Sequence, residues 1–407
     1  MSNSAGEQWK QSFLRRIAVQ RPNHSEALDR IAGVIKQQLK QWQVPFQSHP
    51  FILRPFKHLL AGTVLWGLSL LFLVTLLFDL FWIALIIAFA IPVLLILEFE
   101  VPLFLVSRLV ERQGENISVT FPADHATSEL ILCAHYDAKT DFFDHVQREK
   151  LYQLLIPMFF LGGLLPVVML LQDRIPSLFI SYVTWGSYGL AGIYVVFWGL
   201  IALAFGGYIF IGAEKQSKGV IDNATAVTAL MAVIADIDQA AIRSGAVKLT
   251  ILLTAGEEVS MQGALAFVKE RRKNCDSPSE LPSFCLNLEL IGQPGKLLVW
   301  KRYGAFFRFI EGDKGLIRQL EKAVEEVTGD PLLVLDKSAD DALYLQKAGI
   351  RTITMAHSGG DVFGEKGFHS IHDNFERLSP DNLNQAIAVI QRLISDFASA
   401  SGPIFGK

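Results

Sequence analysis

The chain of 407 residues is 51% hydrophobic and 19% charged, with a net charge of −3 and a mean hydropathy of +0.34. Average soluble domains carry about 25% charged residues, so these values exclude a disordered tail protein and a basic nucleic-acid binder, and they ask for a bilayer to house the apolar excess. Cys133, Cys275 and Cys285 form no C-x-x-C pair, which argues against a disulfide framework and for a reducing compartment.

The first 50 or so residues are polar and amphipathic and lack the pattern of a cleavable signal. Ser25 is placed to cap a helix whose apolar positions Leu28, Ile31, Ala32, Ile35, Leu39 and Trp42 recur every three or four residues. Residues 44–53 read as a strand. Residues 59–97 are nearly continuous hydrocarbon broken by Asp79, and since about 20 apolar residues span a bilayer core, two helices in a tight hairpin follow. Residues 116–121 and 129–133 read as strands, the second running into Ala134-His135-Tyr136-Asp137. A second apolar block covers 151–171, breaks at Gln172, Asp173, Arg174 and Pro176, and resumes over 178–211. Its polar and aromatic stretch at 181–188 suits an interfacial entry, with the span proper beginning near Leu190. Then come a helix at 223–237, a strand at 247–254, a helix at 261–272, strands at 283–288 and 351–355 with a helix at 316–327, and a last helix opened by Ser379 and Pro380. Strands alternating with helices imply an α/β layered domain.

Lys and Arg gather at the outer ends of both hairpins, at Arg54, Lys57, Arg108, Arg112, Arg148, Lys150, Lys215 and Lys218, whereas the tips offer Arg174 beside Asp79 and Asp173. The positive-inside rule therefore expects everything except the tips in the cytoplasm.

The candidate site residues are ordinary one at a time. A His such as His135 after an apolar strand is commonly just packed at a surface, and Asp222-Asn223 before a helix reads as a cap. Glu257-Glu258 reads as an acidic pair at a helix start. Glu289 ends another apolar strand, and His369 and Asp373 lie in a loop. As a set, all but the loop residues fall at strand ends or strand-to-helix turns, the edge where open α/β sheets assemble ligand sites. Imidazoles and carboxylates without thiolates suit a divalent ion such as Zn²⁺, and hydrolysis as the chemistry.

Their order and local sequence are His-x-Asp after a strand, Asp-Asn opening a helix, Glu-Glu after Thr-Ala-Gly, an acid before Leu-Ile-Gly, and His-Ser-x-x-Asp. This resembles the co-catalytic di-zinc aminopeptidases, family twenty-eight of the metallopeptidases, whose relatives include glutamate carboxypeptidases and glutaminyl cyclases. The resemblance runs over residues 13–397 outside the hydrophobic blocks. It implies a mixed-sheet zinc-exopeptidase sandwich, phosphorylase/hydrolase-like, holding two zinc ions per chain. Asp222 would bridge the ions, His135 and Glu289 would complete one site, and Glu258 and His369 the other. Asp137 would fix the His135 tautomer, and Glu257 would be the general base. The sequence departs from the pattern at Glu289, where most relatives carry Asp and some membrane-bound ones carry Glu; the donor oxygen is the same on a stem one methylene longer. His372 rivals His369, but His369 has Ser370 and Asp373 at the matching offsets. Asp341 matches an acidic position of the family.

His135 and Asp222 must meet at one site although the second hydrophobic block separates them, so the chain crosses the bilayer an even number of times between them. The same parity holds for the first block, giving four transmembrane helices in two hairpins. The expected division is 1–57, 99–150 and 213–407 as one peptidase domain, with hairpins at 58–98 and 151–212, holding the site near the cytoplasmic face of a multi-pass membrane protein. Peptide substrates and the lipid bilayer are the expected partners, and nucleic acid is not. Two other functions compete: a glutaminyl-cyclase-like acyltransferase with one zinc, and a catalytically silent membrane scaffold of the same fold. Proteolysis inside the bilayer is disfavoured, because the spans contain no paired Asp and no His-Glu-x-x-His.

Overall fold

One mixed sheet carries the site residues. In the computed structural model, which describes residues 3–101, 105–143, 145–174, 181–273, 281–304, 307–359 and 367–398, the strands are β1 (Gln47–Leu53), β2 (Arg112–Phe121), β3 (Ser128–His135), β4 (Val247–Thr254), β5 (Ser283–Leu288), β6 (Leu297–Tyr303), β7 (Ile310–Glu311), β8 (Leu333–Ser338) and β9 (Arg351–His357). Cys275 and the break around Pro176 lie outside the described residues; Cys133 and Cys285 are buried free thiols. The strand order is β1-β2-β4-β3-β5-β9-β6-β7, with β8 paired to β6.

The middle of the sheet is parallel: β3 pairs with β4 and with β5, and β5 with β9. Register then decides where the site forms. His135 lies opposite Thr254, and Cys133 opposite Asn287, so Glu289, two residues beyond Asn287, comes level with His135. Parallel strands end on the same edge, where a ligand crevice opens. Such strands are covered on both faces and so read as unbroken apolar runs. Leu130 through Ala134 fit this, each being fully buried.

The helices, in chain order, are α1 (Asn3–Ile17), α2 (Glu26–Gln41), α3 (Lys57–Leu77), α4 (Phe81–Leu95), α5 (His145–Gln153), α6 (Leu155–Arg174), α7 (Ser181–Gly206), α8 (Thr225–Asp236), α9 (Gln239–Ser244), α10 (Gln262–Lys273), α11 (Lys314–Thr328), α12 (Ala342–Lys347) and α13 (Pro380–Ala398). The chain divides into two compact units. The first comprises Met1–Pro55, Arg112–Thr140 and Glu214–Lys407; the second comprises Phe56–Glu111 and Asp141–Ala213.

In the first unit α8 packs against β3, α1 and α13. It is buried all round from Thr225 to Ile234, which explains its small residues and its lack of a polar face. The amphipathic α2 turns Leu28, Ile31, Ala32, Ile35 and Leu39 inward as its spacing requires. Ser25 does precede α2, but its hydroxyl donates to Pro22 O at 2.8 Å and makes no cap bond. Asp313 caps α11 through Leu316 N at 2.7 Å, and Gly329 closes it at φ 72°, the left-handed conformation that a Cβ disfavours.

In the second unit α3, α4, α6 and α7 meet in turn, α3 touching both α4 and α7, and α6 touching both α4 and α7. Among the described residues, four helical stretches are long and apolar enough to cross a membrane: Lys57–Leu77, Phe81–Glu100, Val146–Arg174 and Gly186–Phe210. The packing of α3 on α7 is close because Gly62 has no side chain; a Cβ there would stand 3.0 Å from the main chain of Ala202. Large apolar side chains such as Trp82, Ile86, Phe89, Phe160 and Val196 are exposed on the outside of these helices.

Candidate metal centre

His135 is the last residue of β3, and Glu289 follows β5 directly. Glu257 and Glu258 occupy the turn between β4 and α10, so α10 begins too late, at Gln262, for them to be its acidic first turn. Asp222 lies in an irregular turn before α8 with non-helical φ/ψ. His369 is at φ 56° in the loop before α13.

Asp222 is where these elements meet. Its Oδ1 lies 3.1 Å from His135 Nε2 and its Oδ2 lies 2.8 Å from His369 Nε2. Glu289 Oε2 is 3.1 Å from His135 Nε2, and Glu258 Oε1 is 3.0 Å from His369 Nε2. The result is two donor sets that share Asp222, namely His135/Asp222/Glu289 and Asp222/Glu258/His369, each with ligand atoms within 4.8 Å of one another. His135, Glu257 and Glu258 form a third such group. All five donors of the first two sets are buried. Buried carboxylates converging without a matching number of cations are costly unless a metal ion neutralises them. The donors present, His and carboxylate without thiolate, fit zinc.

The surroundings hold these donors in place. Asp137 Oδ1 sits 3.5 Å from His135 Nδ1, and the same carboxylate accepts Glu257 N at 3.3 Å, Glu258 N at 3.1 Å and Asn23 Nδ2 at 2.7 Å. It therefore orients one ligand and the turn bearing another. Asp373 accepts Ile221 N at 2.7 Å and Asp222 N at 3.3 Å, fixing the shared carboxylate from behind. Glu289 accepts from Asn223 at 3.0 Å and Asn287 at 3.2 Å. Buried Arg21 donates to the carbonyls of Val19, Tyr136, Lys218 and Gly219, tying the segment after His135 to the one before Asp222. Sequence reading missed Arg21, Asn23 and Asn287: each is a single polar residue with no periodic or spacing signal. Asp341 lies buried beside the site, where its Oδ2 accepts from Thr254 at 2.5 Å. His372, the rival of His369, appears in none of the donor groups among the described residues.

Protonation follows from burial and crowding. Burial pushes the Glu257 carboxyl well above the ordinary range, against the pull of His135 and with the push of Glu258 and Glu289. Burial likewise lifts Glu289 to about 8, opposed by His135, and Asp373 to about 6, helped by the charge of Asp222. Burial would raise Asp222 too, but His369 and His135 hold it well below the usual carboxylate range. A ligand must lose its proton before it binds metal. Glu289 is lifted to about 8, and His135, against the effect of burial, is held well above the ordinary imidazole value by Glu289, Asp137 and Asp222, so zinc must displace protons from both and its affinity at the His135/Asp222/Glu289 set is expected to fall as pH drops, by at least about tenfold per unit. Zinc titrations by calorimetry between pH 6 and 9 would show the slope.

Residues 207–394 match the profile of Peptidase family M28. The match covers less than half of the chain. The matched stretch includes Asp222, Glu257, Glu258, Glu289 and His369. A comparison with curated proteins finds no match. Among solved structures, the chain is similar to a leucine aminopeptidase precursor from Bacteroides thetaiotaomicron at 11% identity and TM-score 0.52, covering 98% of this chain and 97% of that one. It is equally similar to a glutaminyl cyclase of the same organism, at 11% identity and TM-score 0.52, covering 98% of each chain. A zinc aminopeptidase from Bacillus subtilis aligns at 13% identity and TM-score 0.42 over 72% of this chain and 53% of that one, so this chain spans about half that protein's length. At such identities the likeness is one of fold, and it establishes the mixed α/β architecture.

Proposed function

We propose that the chain is a membrane-anchored zinc aminopeptidase that removes N-terminal residues from peptides. The observation that carries this reading is Asp222, whose two oxygens face two imidazoles and so join two complete donor sets. His135, Asp222 and Glu289 would hold one zinc ion, and Asp222, Glu258 and His369 the other. When bound, two such ions polarise a scissile carbonyl and acidify a water molecule. Glu257, raised in pKa and standing 4.0 Å from His135, takes the proton of the attacking water. It then returns that proton to the amine nitrogen as the C–N bond breaks. Asp137 keeps His135 and the Glu257-Glu258 turn in register throughout.

The second donor set favours hydrolysis over the one-zinc cyclase, and retention of a competent donor at every position disfavours a silent scaffold. The four long apolar helices and their exposed apolar faces support anchoring in a bilayer, and the basic residues flanking them support a cytoplasmic peptidase domain. The purified full chain in detergent with zinc should release free amino acids from aminoacyl amides and short peptides. A chelator should abolish the release, added zinc should restore it, and N-acetylated versions should resist. Cyclisation of N-terminal Gln without amino-acid release, at about one zinc per chain, would replace this reading with the cyclase. Inertness on every substrate would leave the scaffold.

A further inference from the structure

Lys139 lies two residues beyond Asp137, in the segment that leaves β3. Its Nζ stands 3.1 Å from Glu258 Oε2, and its side chain keeps 23% exposure where that of Glu258 keeps 2%. Lys139 is thus the more solvent-accessible member of this pair at the edge of the donor cluster. Glu258 turns its other oxygen to His369 at 3.0 Å, so this carboxylate stands between the ammonium and the rest of the Asp222/Glu258/His369 set. Arg21, also near these carboxylates, is buried and spends its N–H groups on four main-chain carbonyls, whereas Lys139 is partly exposed beside the donor set.

We propose that Lys139 donates to the carbonyl oxygen of the substrate and stabilises the negative charge that gathers there. This rests on the metallopeptidase reading above. In the attack, the water oxygen bonds to the carbonyl carbon, the water proton passes to Glu257, and the C=O π pair moves onto the oxygen facing Lys139. On collapse that pair re-forms the C=O bond, the C–N bond breaks, and the proton goes from Glu257 to the amine. A fixed donor at a developing oxyanion is worth about 10²–10³ in kcat. A flexible ammonium anchored by Glu258 meets that need as a compact point charge.

The test uses the full-length protein in detergent with zinc, as wild type, Lys139→Met and Lys139→Arg. Three quantities are measured: zinc per chain, kcat and KM on an aminoacyl amide, and equilibrium binding of a leucine analogue with a phosphonate in place of its carboxylate, a stable mimic of the tetrahedral oxygens. Lys139→Met is expected to keep its zinc, lose about 100-fold in kcat with a smaller change in KM, and bind the phosphonate correspondingly more weakly, with Lys139→Arg in between. Loss of zinc from Lys139→Met would overturn the proposal, because the lysine would then only position Glu258. Unchanged phosphonate binding would overturn it as well. If the wild type binds zinc but hydrolyses nothing, the aminopeptidase reading fails separately, and phosphonate binding still decides the role of Lys139.

Discussion

Glu257→Gln is expected to lower kcat by about 1000-fold, within the range for a lost general base, while bound zinc stays at the wild-type level. The Glu257 carboxylate stands outside the two donor sets that share Asp222, and its Oε2 lies 4.0 Å from His135 Nε2, farther than either oxygen that faces that nitrogen at 3.1 Å. Its main-chain N–H donates to Asp137, a bond that Gln keeps. Gln also keeps the size and shape of the side chain and loses the ability to take a proton. Activity measured beside zinc content by mass spectrometry separates the possibilities. If zinc falls together with activity, Glu257 is a ligand through the His135/Glu257/Glu258 group and the base must be sought elsewhere.

Asp222→Ala is expected to remove both metal ions, since each donor set loses its common member. Partners that only orient a ligand already contribute about 10–100-fold to metal affinity, so loss of a shared ligand should weaken both sites by more than about 100-fold. His369→Ala touches one set alone and should leave one zinc bound. Counting zinc per chain in the two variants reads the difference directly. Equal losses in both would mean that Asp222 does not serve two ions.

Much of the sheet is legible in the sequence, because its central strands are buried on both faces. Residues 247–254 and 283–288 are apolar runs with sharp polar ends, and β4 and β5 have those bounds. The far side of the sheet is harder to read. β6 ends in Lys301, Arg302 and Tyr303 after four apolar residues, and β8 is largely exposed, so neither shows a clean period of two. α1 begins in a polar stretch with weak apolar periodicity and escapes notice for that reason. The candidate donors are visible as types at strand ends, yet their convergence depends on the register of β3 against β4 and β5, which no local pattern encodes. Lys139 is likewise a lone cation in a loop, and its partner Glu258 is 119 residues away in sequence.

The strand order also constrains how the molecule is made. β3 sits between β4 and β5, both of which leave the ribosome only after residue 246. A nascent chain that has completed β3 must therefore carry the apolar run Leu130–Ala134 with neither neighbour in place while residues 136–246 are translated. Exposed strands of this kind recruit wrong partners. Biosynthesis of this protein should consequently depend on chaperone protection or on slow elongation through that interval, and truncations ending before β4 should aggregate instead of forming a partial sheet.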